Sequence, residues 1–341
     1  MYYPLLKFGN NEMKALRELK ESSRNKLIPI VESKRIKPLN IGKWENAFNT
    51  LGSYLKERVK SINFIYDFNC AIEELGSKDE VLSSNGEDLV VHCMEKMREH
   101  NLSIIPCFQH DSPEWLIDSI IKYKTEEIAI RIRCHDFQEP FDRFVFSKLK
   151  EDLLKIDESV EVTIILDFFN IKTTTTRIKN AINTFKQLNP VNIVFLSTAC
   201  PENANEADAH GLTLVNARHE LNTYYELSRD FEELHFGDYT TRLKGEVLTG
   251  FNYNLSYFKI FYSTETDYYI AKSKLIRDGG EDSFYEICQQ IVDQDFYPGE
   301  GFSFGDLEIK KCADKEITIS DHQAPIAISV NHHIETTIKQ L

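Results

Sequence analysis

The sequence is poor in the short patterns that fix a reaction. Its seven cysteines, at positions 70, 93, 107, 134, 200, 288 and 312, are scattered and odd in number, and no two of them make a C-x-x-C pair. That spacing excludes a disulfide framework and a zinc ribbon, and it fits buried thiols in a reducing compartment. No H-E-x-x-H stands anywhere in the chain, and no P-loop. P-loop NTPase, kinase, serine hydrolase and zincin chemistry are disfavoured. No apolar run approaches the length of a membrane span. The opening Met1-Tyr-Tyr-Pro-Leu-Leu-Lys7 lacks a basic region before a long apolar stretch, so no signal peptide is expected and the location is read as cytoplasmic. Acidic residues outnumber basic ones, 54 to 40. The formal net charge of -14 repels phosphate backbones, which disfavours broad nucleic-acid binding and leaves room for a protein partner.

What the chain does have is a rhythm. The 341 residues are 42% hydrophobic, enough for one large core or two smaller ones. Glu161-Val-Thr-Ile-Ile-Leu-Asp167 is a run of β-branched and apolar residues closed by a carboxylate, as expected for a strand buried on both faces. The same phrase recurs at Lys26 to Glu32, Ile62 to Asp67, Leu102 to Phe108, Glu127 to Arg133, Val191 to Ser197, Leu212 to Arg218 and Glu233 to Tyr239. Segments with helical spacing lie between them. About eight strands alternating with helices predict an α/β fold, a (β/α)8 TIM-barrel-like domain over residues 1–245. A doubly wound open sheet is the runner-up. It is weakened by the missing Gly-rich loop after the first strand and by the polar residue that ends every strand.

After residue 245 the pattern changes. Tyr257 to Tyr262 and Tyr268 to Lys272 read as two antiparallel strands, Glu281 to Gln294 and Phe304 to Ala313 as helices, and Ile326 to Val330 as a short strand. A last helical turn or two follows, with Ile334 and Ile338 on one face. Residues 246–341 are thus expected to form an α+β extension packed on the barrel.

In a barrel the polar strand ends converge on the carboxyl-end mouth. Asp167, Glu32, Glu220 and Asp238 are the candidate catalytic carboxylates. Arg131, Arg133, Arg218, Asp67, His110 and Ser197 are the candidate substrate-binding residues. Arginines at a mouth suit an anionic small molecule or a nucleotide. The carboxylates suit acid–base work, or magnesium or manganese. A metal-dependent hydrolase or phosphodiesterase would combine the two. The opposing reading for each residue is a closed network of structural ion pairs, and the opposing function is a non-catalytic module that senses a ligand or binds a protein. His332 and His333 are adjacent and point apart, which argues for structural roles over joint metal binding.

Several phrases together resemble the "beta protein" family of phages and bacteria. They are Tyr3-Pro-Leu-Leu-Lys7, the helix carrying Glu12, Ala15 and Leu16, Ile28-Pro-Ile-Val-Glu32, Arg218-His-Glu220, Phe236-Gly-Asp-Tyr239, Phe302-Ser-Phe-Gly-Asp306 and Asn331-His-His333. The resemblance runs nearly end to end. It departs at Phe8 and Leu221, in neighbourhoods where members often carry Trp. It implies a setting in mobile elements or phage defence, and no particular reaction.

Overall fold

The computed structural model describes residues 1–36, 38–75, 82–188, 191–241, 252–318 and 324–341. The strands are β1 (Tyr2–Leu6), β2 (Ile30–Glu32), β3 (Phe64–Asp67), β4 (Ile104–Gln109), β5 (Glu127–Arg133), β6 (Glu161–Phe169), β7 (Val191–Ser197), β8 (Gly211–Ala217), β9 (Leu234–Asp238), β10 (Lys259–Ser263) and β11 (Asp267–Lys272). They belong to two compact units. The first comprises Met1–Phe8, Leu27–Thr198 and Glu220–Asp238; the second comprises Gly9–Lys26, Ala199–His219 and Tyr239–Leu341. The expected boundary at residue 245 lies outside the described residues.

The first unit is a closed parallel barrel in the order β1-β2-β3-β4-β5-β6-β7-β9, so the fold is the TIM-barrel-like α/β class that the rhythm predicts. One strand differs from the reading. Leu212 to Arg218 is not the seventh barrel strand: β8 pairs antiparallel with β11 in a separate sheet, order β10-β11-β8. Its place is filled from the other end of the chain. The extended start Tyr2–Leu6 is a full barrel strand between β9 and β2. The closing seam needs a residue without a side chain. A Cβ on Gly237 would lie 2.7 Å from the Tyr3 carbonyl oxygen and 2.8 Å from Leu196 Cδ1.

The barrel strands are apolar because both faces are covered. From Val162 to Phe168 every residue of β6 is buried. Helices follow the strands, with ends set by local chemistry. Asp88 Oδ1 accepts from Val91 N at 2.9 Å, and Thr174 Oγ1 accepts from Arg177 N at 3.1 Å. Ser112 is not the cap that its place before Pro113 suggests. Its hydroxyl instead accepts from Gln109 N and donates to Asn69 Oδ1, on the carboxyl-end side of the barrel.

The second unit holds the three-stranded sheet against the helices Gly280–Val292, Phe304–Ala313 and Ala324–Gln340. Phe258, Ile260, Tyr262, Phe284, Ile287 and Ile328 lie in its core. Here a second expectation is corrected. Ile326 to Val330 is not a strand but the first half of a 17-residue helix, buried from Pro325 to Ile338 apart from Ile326. Burial on every face explains why β-branched residues are accepted there: packing outweighs helix propensity. It also obliges the polar residues of this helix to find partners. Asn331 donates to the Ala15 carbonyl and accepts from Gly305 N; Glu335 accepts from Lys20 N and the Ser23 hydroxyl. Among the described residues no helix is long and apolar enough to cross a membrane.

Two glycines four residues apart give a direct check on this packing. A Cβ on Gly305 would meet the Ile328 carbonyl oxygen at 2.4 Å and His332 Cβ at 3.0 Å, whereas one on Gly301 meets nothing within 4 Å. Gly305→Ala should therefore destabilise the protein by about 1–3 kcal/mol in urea unfolding, and Gly301→Ala by much less. Equal midpoints for the two variants would contradict the close approach of these helices.

Candidate functional site

Four strand ends deliver one cluster. Arg131 on β5 is 3% exposed at its side chain, Asp167 0%, Asp67 1% and Glu32 8%. The guanidinium is divided among three carboxylates. Nε and Nη2 reach Asp167 Oδ2 at 2.8 and 2.7 Å, and Nη1 reaches both Glu32 Oε1 and Asp67 Oδ2 at 3.0 Å. A charge this deep is tolerated only when it is answered. Lys7, directly after β1, closes the far side at 2.6 Å from Glu32 Oε2.

Each aspartate is also gripped by its own turn. Asp67 Oδ1 accepts from Asn69 N at 3.1 Å, and Asp167 Oδ1 accepts from Phe169 N at 3.0 Å. A carboxylate bonding the amide two residues on is a compact way to leave a strand. At Asp167 the turn is forced further. The β6–β7 register shifts between Asp167 and Phe169, and Phe169 has φ 49, a left-handed conformation unusual for an aromatic residue. The Phe169 carbonyl is held by Thr198 N and the Ser197 hydroxyl, which fixes the strain in place. His135 Nδ1 donates to the Asp167 carbonyl at 3.2 Å, which puts a proton on Nδ1.

The two carboxylates that share Nη1 are pushed apart. Burial raises Glu32, but Lys7 and Arg131 outweigh it and hold the carboxyl down to about 2. Burial raises Asp67 above the usual carboxylate range, with Glu32 adding to it and Arg131 opposing. Gln109 lies beside them: its Nε2 donates to Asp67 Oδ2 at 2.7 Å, while its buried Oε1 has no partner among the described residues. Cys70 is no nucleophile, since burial together with Glu32 and Asp67 pushes its thiol up to about 12.

The other expected residues are placed less centrally. Arg133 is 21% exposed at its side chain and bridges Asp111 at 2.7 Å and Asp136 at 2.9 Å. His110 Nδ1 accepts from Arg133 N, and burial lowers its imidazole. His110, Asp111 and Asp136 offer ligand atoms within 4.8 Å of one another, the spacing of a cation site, but the Arg133 guanidinium already pairs with both aspartates. Around Arg131 the guanidinium likewise pairs with Glu32, Asp67 and Asp167. Neither set fits a divalent ion without displacing an arginine. Asp238 is fully buried and accepts from the Tyr2 hydroxyl at 2.6 Å. Glu220 is buried in the first turn of the helix His219–Ser228, where the helix dipole favours a carboxylate.

Arg218 is not at a barrel strand end, because β8 is not a barrel strand. It belongs to the second unit, where its guanidinium reaches the Thr264 carbonyl, Thr337 Oγ1 and Gln340 Oε1. His332 and His333 are buried in the helix Ala324–Gln340. The first bonds Asp306 Oδ2 at 2.8 Å and the Ser263 carbonyl at 2.7 Å; the second bonds Ser263 Oγ at 3.0 Å. The sequence reading disfavours a serine hydrolase for want of a G-x-S-x-G elbow and overlooks Gly301-Phe-Ser-Phe-Gly305, which spells that pattern but is not a hydrolase elbow. Ser303 caps the helix Phe304–Ala313 and is 4% exposed, and its hydroxyl bonds Asp306. Lys7, Gln109, Asn69 and His135 are site residues that the sequence reading missed. Lys7 had a signal: it follows β1 as Glu32 ends β2.

The profile of the Beta protein family matches residues 2–339, and the chain belongs to that family. No curated protein matches it. Two of the quoted phrases meet in space: Gly305 N bonds Asn331 Oδ1, and Asp306 bonds His332.

The opposed carboxylates give a signature in acid. Glu32 is depressed in the folded state, so its contribution is complete above its ordinary value and is lost as pH falls toward 2. From 4.5 to about 2 that amounts to about 3 kcal/mol. Asp67 is raised and acts in the opposite sense: its contribution falls as pH rises through its elevated value. Urea unfolding of Glu32→Gln should therefore show a flatter loss of stability between pH 4.5 and 2 than the parent protein. Parallel curves would contradict the charge balance described for Glu32.

Proposed function

We propose that this member of the Beta protein family is an enzyme that uses the carboxyl end of its barrel to hydrolyse an anionic, phosphorylated or nucleotide-like substrate. The observation that carries the reading is the opposition of Glu32 and Asp67 on one guanidinium nitrogen. Neighbouring carboxylates driven in opposite directions are the pattern of an acid and a base. Asp67, the carboxyl raised by burial, is the group suited to pass a proton to the leaving oxygen; Glu32, held ionised by Lys7 and Arg131, accepts a hydrogen bond from the attacking water and orients it. Asp167, fastened to Arg131 and to the Phe169 turn, positions them. Arg131 spends its donors on carboxylates, so the anion falls to Lys7 and Arg133. Their side chains are partly exposed, 22% and 21%, so a substrate oxygen can reach them. The buried Gln109 Oε1 favours a substrate that brings a hydrogen-bond donor, because an unpaired acceptor is costly. Strain stored at Phe169 supports the reading further.

One observation favours the second reading, a module that binds a ligand or protein without chemistry. Each charge around Arg131 is already answered, as in a structural network. The setting implied by the family resemblance, phage or phage defence, fits either; plaque formation on cells with and without the gene tests it. The two readings separate in a thermal-shift screen of nucleotides and sugar phosphates, with and without magnesium or manganese, followed by turnover of any stabilising compound. The enzyme reading expects turnover that falls by about 10²-fold or more in Glu32→Gln and Asp67→Asn. A stoichiometric protein partner in pull-downs from the native host, with no turnover of any compound, would overturn it.

A further inference from the structure

The second unit contains a cleft of about 410 Å³ between the β10–β11 turn, the segment that carries Phe296 and Phe302, and the side of the helix Ala324–Gln340 that carries His332, Thr336 and Lys339. That volume suits a small ligand or one long side chain. Tyr269, Phe296 and Phe302 line it, and the Tyr269 and Phe296 rings lie 4.6 Å apart between centroids. Its charged lining is Glu265, Asp267 and Lys339: two carboxylates against one ammonium. Lys339 is already paired with Glu265 at 3.0 Å. Among the described residues, Asp267 Oδ2 has only the Thr266 hydroxyl as a hydrogen-bond partner. The surplus is therefore one carboxylate beside three aromatic side chains.

The turn that carries this carboxylate is held rigidly. The Thr266 carbonyl accepts from Arg218 N at 2.7 Å, the Thr264 carbonyl from the Arg218 guanidinium at 3.3 Å, and the Glu265 carbonyl from Gln340 Nε2 at 2.6 Å. Thr264 and Asp267 close the turn on each other through Thr264 N and Asp267 N. The floor is equally fixed: His332 is held by Asp306 and stacked on Tyr262 at 3.9 Å. A preorganised site loses little freedom on binding.

We propose that this cleft binds an organic cation, a guanidinium or alkylammonium group such as an arginine or lysine side chain, with its charge at Asp267 and its flat or apolar body on the aromatic wall. Aromatic faces attract a cation through their quadrupole, and a nearby carboxylate supplies the directional bond. The same attraction has a precedent on one of these rings: Lys20 Nζ, which is not among the lining residues, stands 5.3 Å from the Phe302 ring centroid. An anion would meet the surplus carboxylate.

The test is calorimetric titration of the full-length protein with N-acetyl-arginine amide and with its neutral isostere N-acetyl-citrulline amide. Saturable binding of the first, weaker by about tenfold for the second, is expected. Asp267→Asn, which keeps an oxygen for Thr266, and Phe296→Leu should each weaken the arginine compound by about the same factor. Both substitutions lie in the second unit, outside the charge cluster around Arg131. Equal affinity for the two compounds, no saturable binding, insensitivity to both variants, or preferential binding of inorganic phosphate would each overturn the proposal.

Discussion

A guanidinium removed from water has to be answered in charge and in hydrogen bonds, and at the barrel's carboxyl end that requirement organises everything around it. Arg131 takes Asp167 on two nitrogens and Glu32 and Asp67 on the third. Left alone, any of these four groups would cost several kcal/mol to bury. Together they tie the ends of β2, β3, β5 and β6 to one point. The local backbone follows from this. Asp67 and Asp167 each spend their second oxygen on the amide two residues later, so the chain turns where the charge is held.

The second unit solves a similar problem with different chemistry. Asp306 is buried, which raises its carboxyl, but His332, Ser303 and Tyr262 bond to it and hold it below the usual range. His332 stands one residue after Asn331, which bonds Gly305 N. The phrases at 302–306 and 331–333 are therefore two halves of one contact. Gly305 is the residue that lets the halves meet, since any side chain there would strike the Ile328 carbonyl. Arg218 extends the network to the β10–β11 turn.

The barrel was legible in the sequence because a buried parallel strand has to be apolar throughout and has to end in something polar. Glu32, Asp67, Arg131 and Asp167 were placed together on that ground alone. The rule could not see β1, whose five residues include Pro4 and which pairs with β9 from the far end of the chain. Lys7 was lost with it. Nor could the rule tell β8 from a barrel strand: Leu212 to Ala217 has the composition of either, and its partner β11 lies some fifty residues later. Ile326 to Val330 misled for the reason that helps elsewhere. β-branched residues favour strands in isolation, but a helix buried on nearly every side selects for packing. Gln109 and His135 carry no sequence signal, since their roles depend on the register of β4 with β5 and on the turn after β5.

The claim that Arg131 and its three carboxylates form one interdependent charge cluster is tested most directly by a comparison of two proteins in urea unfolding. Arg131→Met alone leaves three carboxylates buried around an apolar side chain. The quadruple variant Arg131→Met, Glu32→Gln, Asp67→Asn, Asp167→Asn removes the whole charge set with little change in volume. The account predicts a loss of about 3–5 kcal/mol for the single substitution and a smaller loss for the quadruple. A quadruple variant whose loss equals or exceeds the sum of the four single losses would show that the residues act separately and would contradict the cluster.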